Sequence, residues 1–143
     1  MKTVADTILK PDTSTKRKYL LFKSGVSAGF PSPAADYEEG KLDLNKHLIR
    51  NPAATFFVRA NGDSMIGAGI HPGDLLVVDR SLEPADKSVV IAVVNGELTV
   101  KRIRLRRGKI TLQPENENYP ACQITDCVEF EVWGVVTNVI HAL

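Results

Sequence analysis

From residue 55 onward the hydrophobic positions come in short runs separated by turn residues, the pattern of a β-rich chain. Thr55–Val58 reads as one strand, Asp74–Asp79 as a second and Ser88–Val94 as a third. Asn95-Gly96 follows at once. Both residues tolerate positive φ, so the pair predicts a two-residue hairpin with Glu97–Arg106 as the returning strand. Arg107-Gly108 turns the chain again into Ile110–Leu112. Cys127–Val132 alternates, with Val128, Phe130 and Val132 on one face, and Trp133–Ile140 closes the domain. One short helix is predicted. Asp43 caps it, Leu44, His47 and Leu48 share a face, and Asn51-Pro52 stops it.

Residues 1–35 show neither period. Lys10–Lys18 is polar, Tyr19–Phe22 is a short apolar patch, and Ser24–Pro33 is small and punctuated by proline. The expected organisation is a flexible N-terminal arm over residues 1–35 and a compact, mainly β domain over 36–143. A chain of 143 residues has room for one such domain and its core. With 43% apolar and 24% charged residues, a wholly disordered chain, a collagen and a disulfide-stapled miniprotein are excluded. The longest apolar run, Val89–Val94, falls far short of the roughly 20 residues that span a membrane. No apolar leader follows Lys2, Asp6 and Lys10. Cys122 and Cys127 therefore read as reduced thiols of a cytoplasmic protein.

The net charge of +1 changes meaning when it is divided. Residues 1–28 carry +4, and residues 29–143 carry −3. A mildly acidic body is a poor general binder of nucleic acid, because phosphate contacts need local positive charge.

Two residues could carry chemistry. Ser64 follows the Asn61-Gly62 turn at the end of a strand. A serine at such a junction either exposes its hydroxyl and points its own N–H at a substrate oxygen, or caps a helical turn over 65–68. Lys101 lies in the strand after the hairpin. By alternation it shares a face with Thr99, Ile103 and Leu105, while Val100, Arg102, Arg104 and Arg106 share the other. A lysine held on an apolar face is either desolvated or snorkels to water at the sheet rim. Desolvation disfavours the ammonium. Half-neutrality near pH 7.4 requires lowering the pKa from about 10.4 by about 3, or about 4 kcal/mol, within the range buried lysines reach. A neutral lysine is a competent base for a serine hydroxyl.

The arginine row is the rival signal. Arg102, Arg104, Arg106, Arg107 and Lys109 could grip a phosphate backbone, or simply charge an exposed strand face. No aromatic residue interleaves with them as a stacking platform. His47, His71 and His141 are scattered and lack metal-ligand spacing with Cys122 or Cys127; His71, in a Pro-Gly turn, reads as surface. No dinucleotide or P-loop glycine pattern occurs.

Four segments, Ala28–Tyr37, Gly62–Met65, Gly69–Leu75 and Glu97–Lys101, resemble the UmuD-type SOS mutagenesis proteins of the LexA-like family of self-cleaving serine peptidases. The resemblance runs from residue 26 to the end; residues 1–18 fall outside it. Its marks are a serine in Gly-Asp-Ser-Met, a lysine 37 residues later in a strand after a hairpin, and an Ala-Gly bond upstream. It implies a LexA/UmuD-like fold of short strands and hairpins. It also implies a serine–lysine dyad, with Ser64 as nucleophile and Lys101 as general base. The substrate it implies is the chain's own Ala28–Gly29 bond. The backbone N–H groups of Ser64 and Met65 are the candidate oxyanion donors. No cofactor and no metal are expected.

Repressors of the family carry a helix-turn-helix domain before the peptidase fold. Here only about 35 residues precede it, and they lack helical period, which points to the mutagenesis branch. The resemblance then implies cleavage stimulated by the RecA filament on single-stranded DNA. The trimmed homodimer is expected to serve a Y-family polymerase of UmuC type in error-prone translesion synthesis. Direct DNA binding is expected to be weak or absent, with no membrane association. A nucleic-acid-binding β domain built on the basic strand from Arg102 to Lys109 is the competing reading. A signal-peptidase-like enzyme is disfavoured by the missing anchor.

Overall fold

The computed structural model describes residues 4–22, 38–125 and 128–143. In chain order these form β1 (Val4–Leu9), β2 (Tyr19–Phe22), β3 (Glu38–Leu42), α1 (Leu44–Leu48), β4 (Thr55–Asn61) and β5 (Leu75–Asp79). Then come β6 (Val89–Val94), β7 (Glu97–Arg106), β8 (Lys109–Gln113), β9 (Cys122–Gln123) and β10 (Phe130–Ile140). The class is mainly β, as the alternating and short apolar runs predict.

The residues gather into two units, Met1–Pro11 with Asn51–Leu143, and Asp12–Arg50. In the smaller unit β2 and β3 pair antiparallel, Tyr19 opposite Leu42. The predicted helix is present. The Asp43 carboxylate accepts the Asn45 N–H at 3.0 Å, which occupies one of the first-turn donors.

In the larger unit eight strands form one antiparallel sheet in the order β1-β4-β5-β10-β6-β7-β8-β9. Two turns fix the register of its central part. Asn95 and Gly96 have φ of 49° and 81°, and Arg107 and Gly108 have 51° and 74°. Positive φ at both central positions matches the twist of the flanking strands. Val94 is thereby set opposite Glu97, and Arg106 opposite Lys109.

Two features of the sheet differ from the sequence reading. Val4–Leu9, which showed no strand period, forms an edge strand on β4, with Leu9 opposite Phe57. Lys10 secures its end: Nζ donates to the Ala53 carbonyl at 2.8 Å and lies 4.3 Å from the Phe56 ring centroid. The two closing segments also merge into the single strand β10, while Cys127 lies outside the described residues. The first half of β10 pairs with β6, Phe130 opposite Val94, and the second half with β5, Ile140 opposite Leu75. The register shifts between Val132 and Gly134, and such a shift turns a strand from one neighbour to the next. Glycine is needed there because a Cβ on Gly134 would lie 2.6 Å from the Val78 Cγ1 atom.

Two apolar clusters cover the sheet. One contains Val58, Met65, Leu76, Val78, Ile91 and Val100. The other contains Val90, Ala92, Ile103, Leu112 and Val135. Strand β7 contributes Val100 to the first and Ile103 to the second, so both of its faces are packed. Lys101 lies between them, opposite Val90. Among the described residues no helix is long and apolar enough to cross a membrane.

Candidate active site

Strand β4 ends at Asn61, and Gly62 at φ 86° breaks it, as the Asn-Gly pair predicts. Ser64 follows. A 3-10 turn over Ile66–Ala68 comes next, and its cap position is Met65. The Met65 side chain is fully buried, and its carbonyl accepts from Ala68 and Ile70. The turn is thus anchored from below by packing and closed by its own hydrogen bonds.

Ser64 is wholly buried, and Lys101 is 9% exposed. The Lys101 Nζ atom lies 3.0 Å from the Ser64 Oγ atom. It also lies 3.0 Å from the Thr99 Oγ1 atom and 3.0 Å from the Val100 carbonyl. Thr99 reaches the amine because strand alternation places residues 99 and 101 on one face. Ser64 takes neither role read from the sequence: its hydroxyl is buried against Lys101 instead of exposed, and the cap of the following turn is Met65. Lys101 is buried instead of snorkelling to water. The two residues singled out in the sequence are brought together across 37 positions, and Met65 stands beside them. The Ala28–Gly29 bond lies outside the described residues.

A second segment holds the serine turn from the side. The Ser64 carbonyl accepts the Glu115 N–H at 2.8 Å, and Gly67 N–H donates to the Glu115 carbonyl at 2.7 Å. A Cβ on Gly67 would meet that carbonyl oxygen at 2.7 Å, so only glycine permits the approach. Asn116 Nδ2 donates to the Asp63 carbonyl at 2.9 Å, and the Tyr119 hydroxyl donates to Asp63 Oδ1 at 2.5 Å. Arg102 Nε in turn binds Glu115 Oε1 at 2.5 Å. Sequence reasoning named Asp63 only as part of the serine motif and Arg102 only in the arginine row, and found none of the clamp contacts. Thr99 had a usable signal in its spacing from Lys101; Glu115, Asn116 and Tyr119 had none, because they hold the serine turn across about 50 positions.

Beside the pair runs a cleft of about 630 Å³, lined by Leu98, Thr99, Lys101, Leu112, Tyr119 and Cys122 among others. Lys101 is part of its lining, and Ser64 is not. Cys122 is a free, exposed thiol. The arginine row lies elsewhere. Arg102 is bound to Glu115, and Arg104 Nε donates to Asp86 Oδ1 at 3.1 Å. Arg104, Arg106, Arg107 and Lys109 line a separate concavity of about 430 Å³.

Comparison with known proteins places the chain in a family. Residues 21–137 match the family model described as Peptidase S24-like. Protein SamA of Salmonella typhimurium (strain LT2) is 53% identical over 121 residues, 85% of this chain and 84% of SamA. Protein MucA of Escherichia coli is 47% identical over 114 residues, 79% of this chain and 77% of MucA. LexA repressor 1 of Geobacter sulfurreducens is 42% identical over 93 residues, 65% of this chain and 45% of the repressor. The resemblance drawn from the four motif segments therefore holds across most of the chain, and the chain belongs to the Peptidase S24-like family.

Proposed function

We propose that this chain is a self-cleaving serine peptidase in which Ser64 is the nucleophile and Lys101 the general base. The observation that carries the reading is the buried contact of 3.0 Å between Lys101 Nζ and Ser64 Oγ. Burial favours the neutral amine over the ammonium. A neutral amine has two N–H donors and one lone pair. It suits its surroundings by donating to the Val100 carbonyl and Thr99 Oγ1 while accepting the Ser64 hydroxyl proton.

The chemistry follows from that proton. Lys101 removes it as Oγ attacks the Ala28 carbonyl carbon. The backbone N–H groups of Ser64 and Met65 receive the developing oxyanion. Collapse of the tetrahedral adduct breaks the Ala28–Gly29 bond, and Lys101 returns the proton to the Gly29 amine. Water, deprotonated by the same amine, then hydrolyses the Ser64–Ala28 ester. Small residues on both sides of the bond let the backbone approach a recessed hydroxyl. The clamp from Glu115 to Tyr119 fixes Ser64 against movement during both steps.

On this reading the arm expected over residues 1–35 delivers the bond from the part that follows β1, since β1 itself is paired with β4, and residues 36–143 are the rest of the peptidase domain. By likeness to the mutagenesis branch of the family, a RecA filament on single-stranded DNA stimulates the cut. The trimmed homodimer then assists a Y-family polymerase of UmuC type in the cytoplasm during the SOS response. The nucleic-acid reading has less support. Arg102 and Arg104 are engaged by Glu115 and Asp86, which leaves fewer free cations for phosphate.

Incubation of the pure chain from about pH 7 to pH 10, with and without activated RecA filament, followed by intact-mass measurement, tests the proposal. The expected product is residues 29–143. A chain that stays whole under all these conditions overturns the peptidase reading, and a cut at another bond overturns the assigned site. DNA affinity that falls steeply with salt would favour the arginine row instead.

A further inference from the structure

A second cluster of reactive side chains lies at the end of β5, unrelated to the peptidase chemistry. Asp74 closes the turn from Gly69 and is buried, 4% exposed. Its carboxylate is held by the backbone: Oδ2 accepts the His71 N–H at 2.8 Å. Its own carbonyl accepts the Ala60 N–H at 2.8 Å. Oδ1 lies 2.5 Å from Nδ1 of His141, the first residue beyond β10. The His71 and His141 rings face each other with centroids 4.6 Å apart and planes 32° from parallel. One ligand atom from each of the three residues falls within 4.8 Å of the others.

We propose that His71, Asp74 and His141 form a binding site for a late first-row divalent transition-metal ion of the Zn²⁺ class. Two imidazoles and one carboxylate are the donor set such ions prefer, and a three-residue set leaves positions open to water. The carboxylate is fixed by a backbone donor, which preorganises the anionic ligand. Both imidazole rings are about two-fifths open to solvent, so they can turn toward an entering ion, although His71 Nδ1 itself is buried.

A simple hydrogen-bonded Asp–His pair accounts for only part of the arrangement. It uses His141 but leaves His71 Nδ1, a buried atom, with no hydrogen-bond partner. That atom lies 3.7 Å from Asp74 Oδ2. Ligands of a tetrahedral zinc ion at about 2.0–2.1 Å stand roughly 3.3 Å apart. Ring movements of about 1 Å therefore bring both imidazoles onto one ion with Asp74 unmoved. The bound ion would tie the turn that follows Ser64 to the end of β10, two segments about 70 positions apart in the chain.

Titration of the full, tag-free chain with Co²⁺, read by visible absorption, tests the site. We expect one Co²⁺ per chain, displaced by Zn²⁺. Saturating Zn²⁺ is expected to raise the melting temperature by about 5–10 °C. His71→Ala and His141→Gln should each weaken binding by about 10-fold or more, while circular dichroism stays unchanged. His47→Ala and Cys122→Ser should bind as the parent chain does. The proposal is overturned if the parent chain shows neither cobalt bands nor a zinc-induced shift. It is equally overturned if either His71→Ala or His141→Gln keeps full affinity. None of these readouts depends on peptide cleavage, so the test stands apart from the peptidase reading.

Discussion

Lys101 and Arg104 stand three residues apart on β7, carry the same formal charge in water, and project from opposite faces. Their surroundings part them. Lys101 is buried, and its Nζ lies 3.0 Å from a serine hydroxyl, a threonine hydroxyl and a carbonyl. Arg104 meets the Asp86 carboxylate near the surface. A carboxylate neighbour favours the charged form of the arginine, whereas burial disfavours the charged form of the lysine. One strand thus places a buried lysine and an ion-paired arginine on opposite faces by side-chain parity. The difference between them is one of environment, and it predicts opposite responses to mutation and to pH.

The largest effect should come from breaking the Lys101 side. Ser64→Ala and Lys101→Ala are each expected to slow self-cleavage by about 10⁴-fold or more, and the double variant no further, because the two residues act as one unit. Arg104→Ala should cut at the parental rate. Intact-mass time courses decide this. An Arg104→Ala chain as inert as Lys101→Ala would refute the division of β7 into two faces with distinct roles.

The pH response sharpens the same contrast. Only the neutral amine accepts the serine proton, so below the pKa of Lys101 each pH unit should raise the unassisted rate by up to tenfold. The rise should begin near pH 7 and level off above the pKa that burial sets. Desolvation by the docked arm would lower that pKa further, so filament-stimulated cleavage should depend on pH more weakly. A histidine base would instead plateau above about pH 7. A profile flat from about pH 6 to 10 in folded protein would remove Lys101 from the mechanism.

A smaller effect is expected from the clamp. Gly67→Ala places a methyl group 2.7 Å from the Glu115 carbonyl, and that backbone oxygen also belongs to the segment that holds Ser64. The cost should be about 1–3 kcal/mol, or roughly 3–10 °C in melting temperature. Cleavage should slow as well, because Ser64 shifts relative to Lys101 while the Arg104–Asp86 pair is untouched. Calorimetry that finds Gly67→Ala as stable as the parent would show that the clamp yields without cost.

How far the sequence alone reaches follows from the range of the forces involved. The Asn95-Gly96 hairpin and the face of Lys101 were legible because turn chemistry and strand alternation act within a few residues. The helix cap at Asp43 was legible for the same reason. That Ser64 would meet Lys101 was carried by family likeness, since residue patterning left both with ordinary roles. The clamp was invisible. Its bonds join Asp63, Ser64 and Gly67 to Glu115, Asn116 and Tyr119, and three of those bonds involve backbone atoms that no residue type announces. His71 and His141 looked scattered for the same reason. Strand β10 carries His141 across the sheet to Asp74, and only the sheet order brings them together. The pairing of Val4–Leu9 with β4 depends likewise on a distant partner.

The smallest effect tests the Arg104 side directly. The Asp86 carboxyl is held below the usual aspartate value near 3.8, first by the Leu105 N–H at 2.9 Å. Slight burial opposes this, and the Arg104 guanidinium adds a hydrogen bond and its charge. A carboxyl with a lowered folded pKa contributes stability above its unfolded pKa and loses it as pH falls through the folded value. Whatever Arg104 contributes through Asp86 is therefore present at neutral and alkaline pH and lost only in acid, below about pH 4. Arg104→Ala should raise the Asp86 pKa part of the way toward its ordinary value. It should not restore that value, because the Leu105 N–H remains in place. A carboxyl carbon NMR titration of the two chains reads the shift. An Asp86 pKa identical in both would mean that Arg104 does not engage it in solution. A full return to the ordinary value would mean that the arginine, and not the Leu105 N–H, holds the carboxylate. In either case the alkaline rise in cleavage should be the same with and without Arg104, because that limb belongs to the other face of the strand.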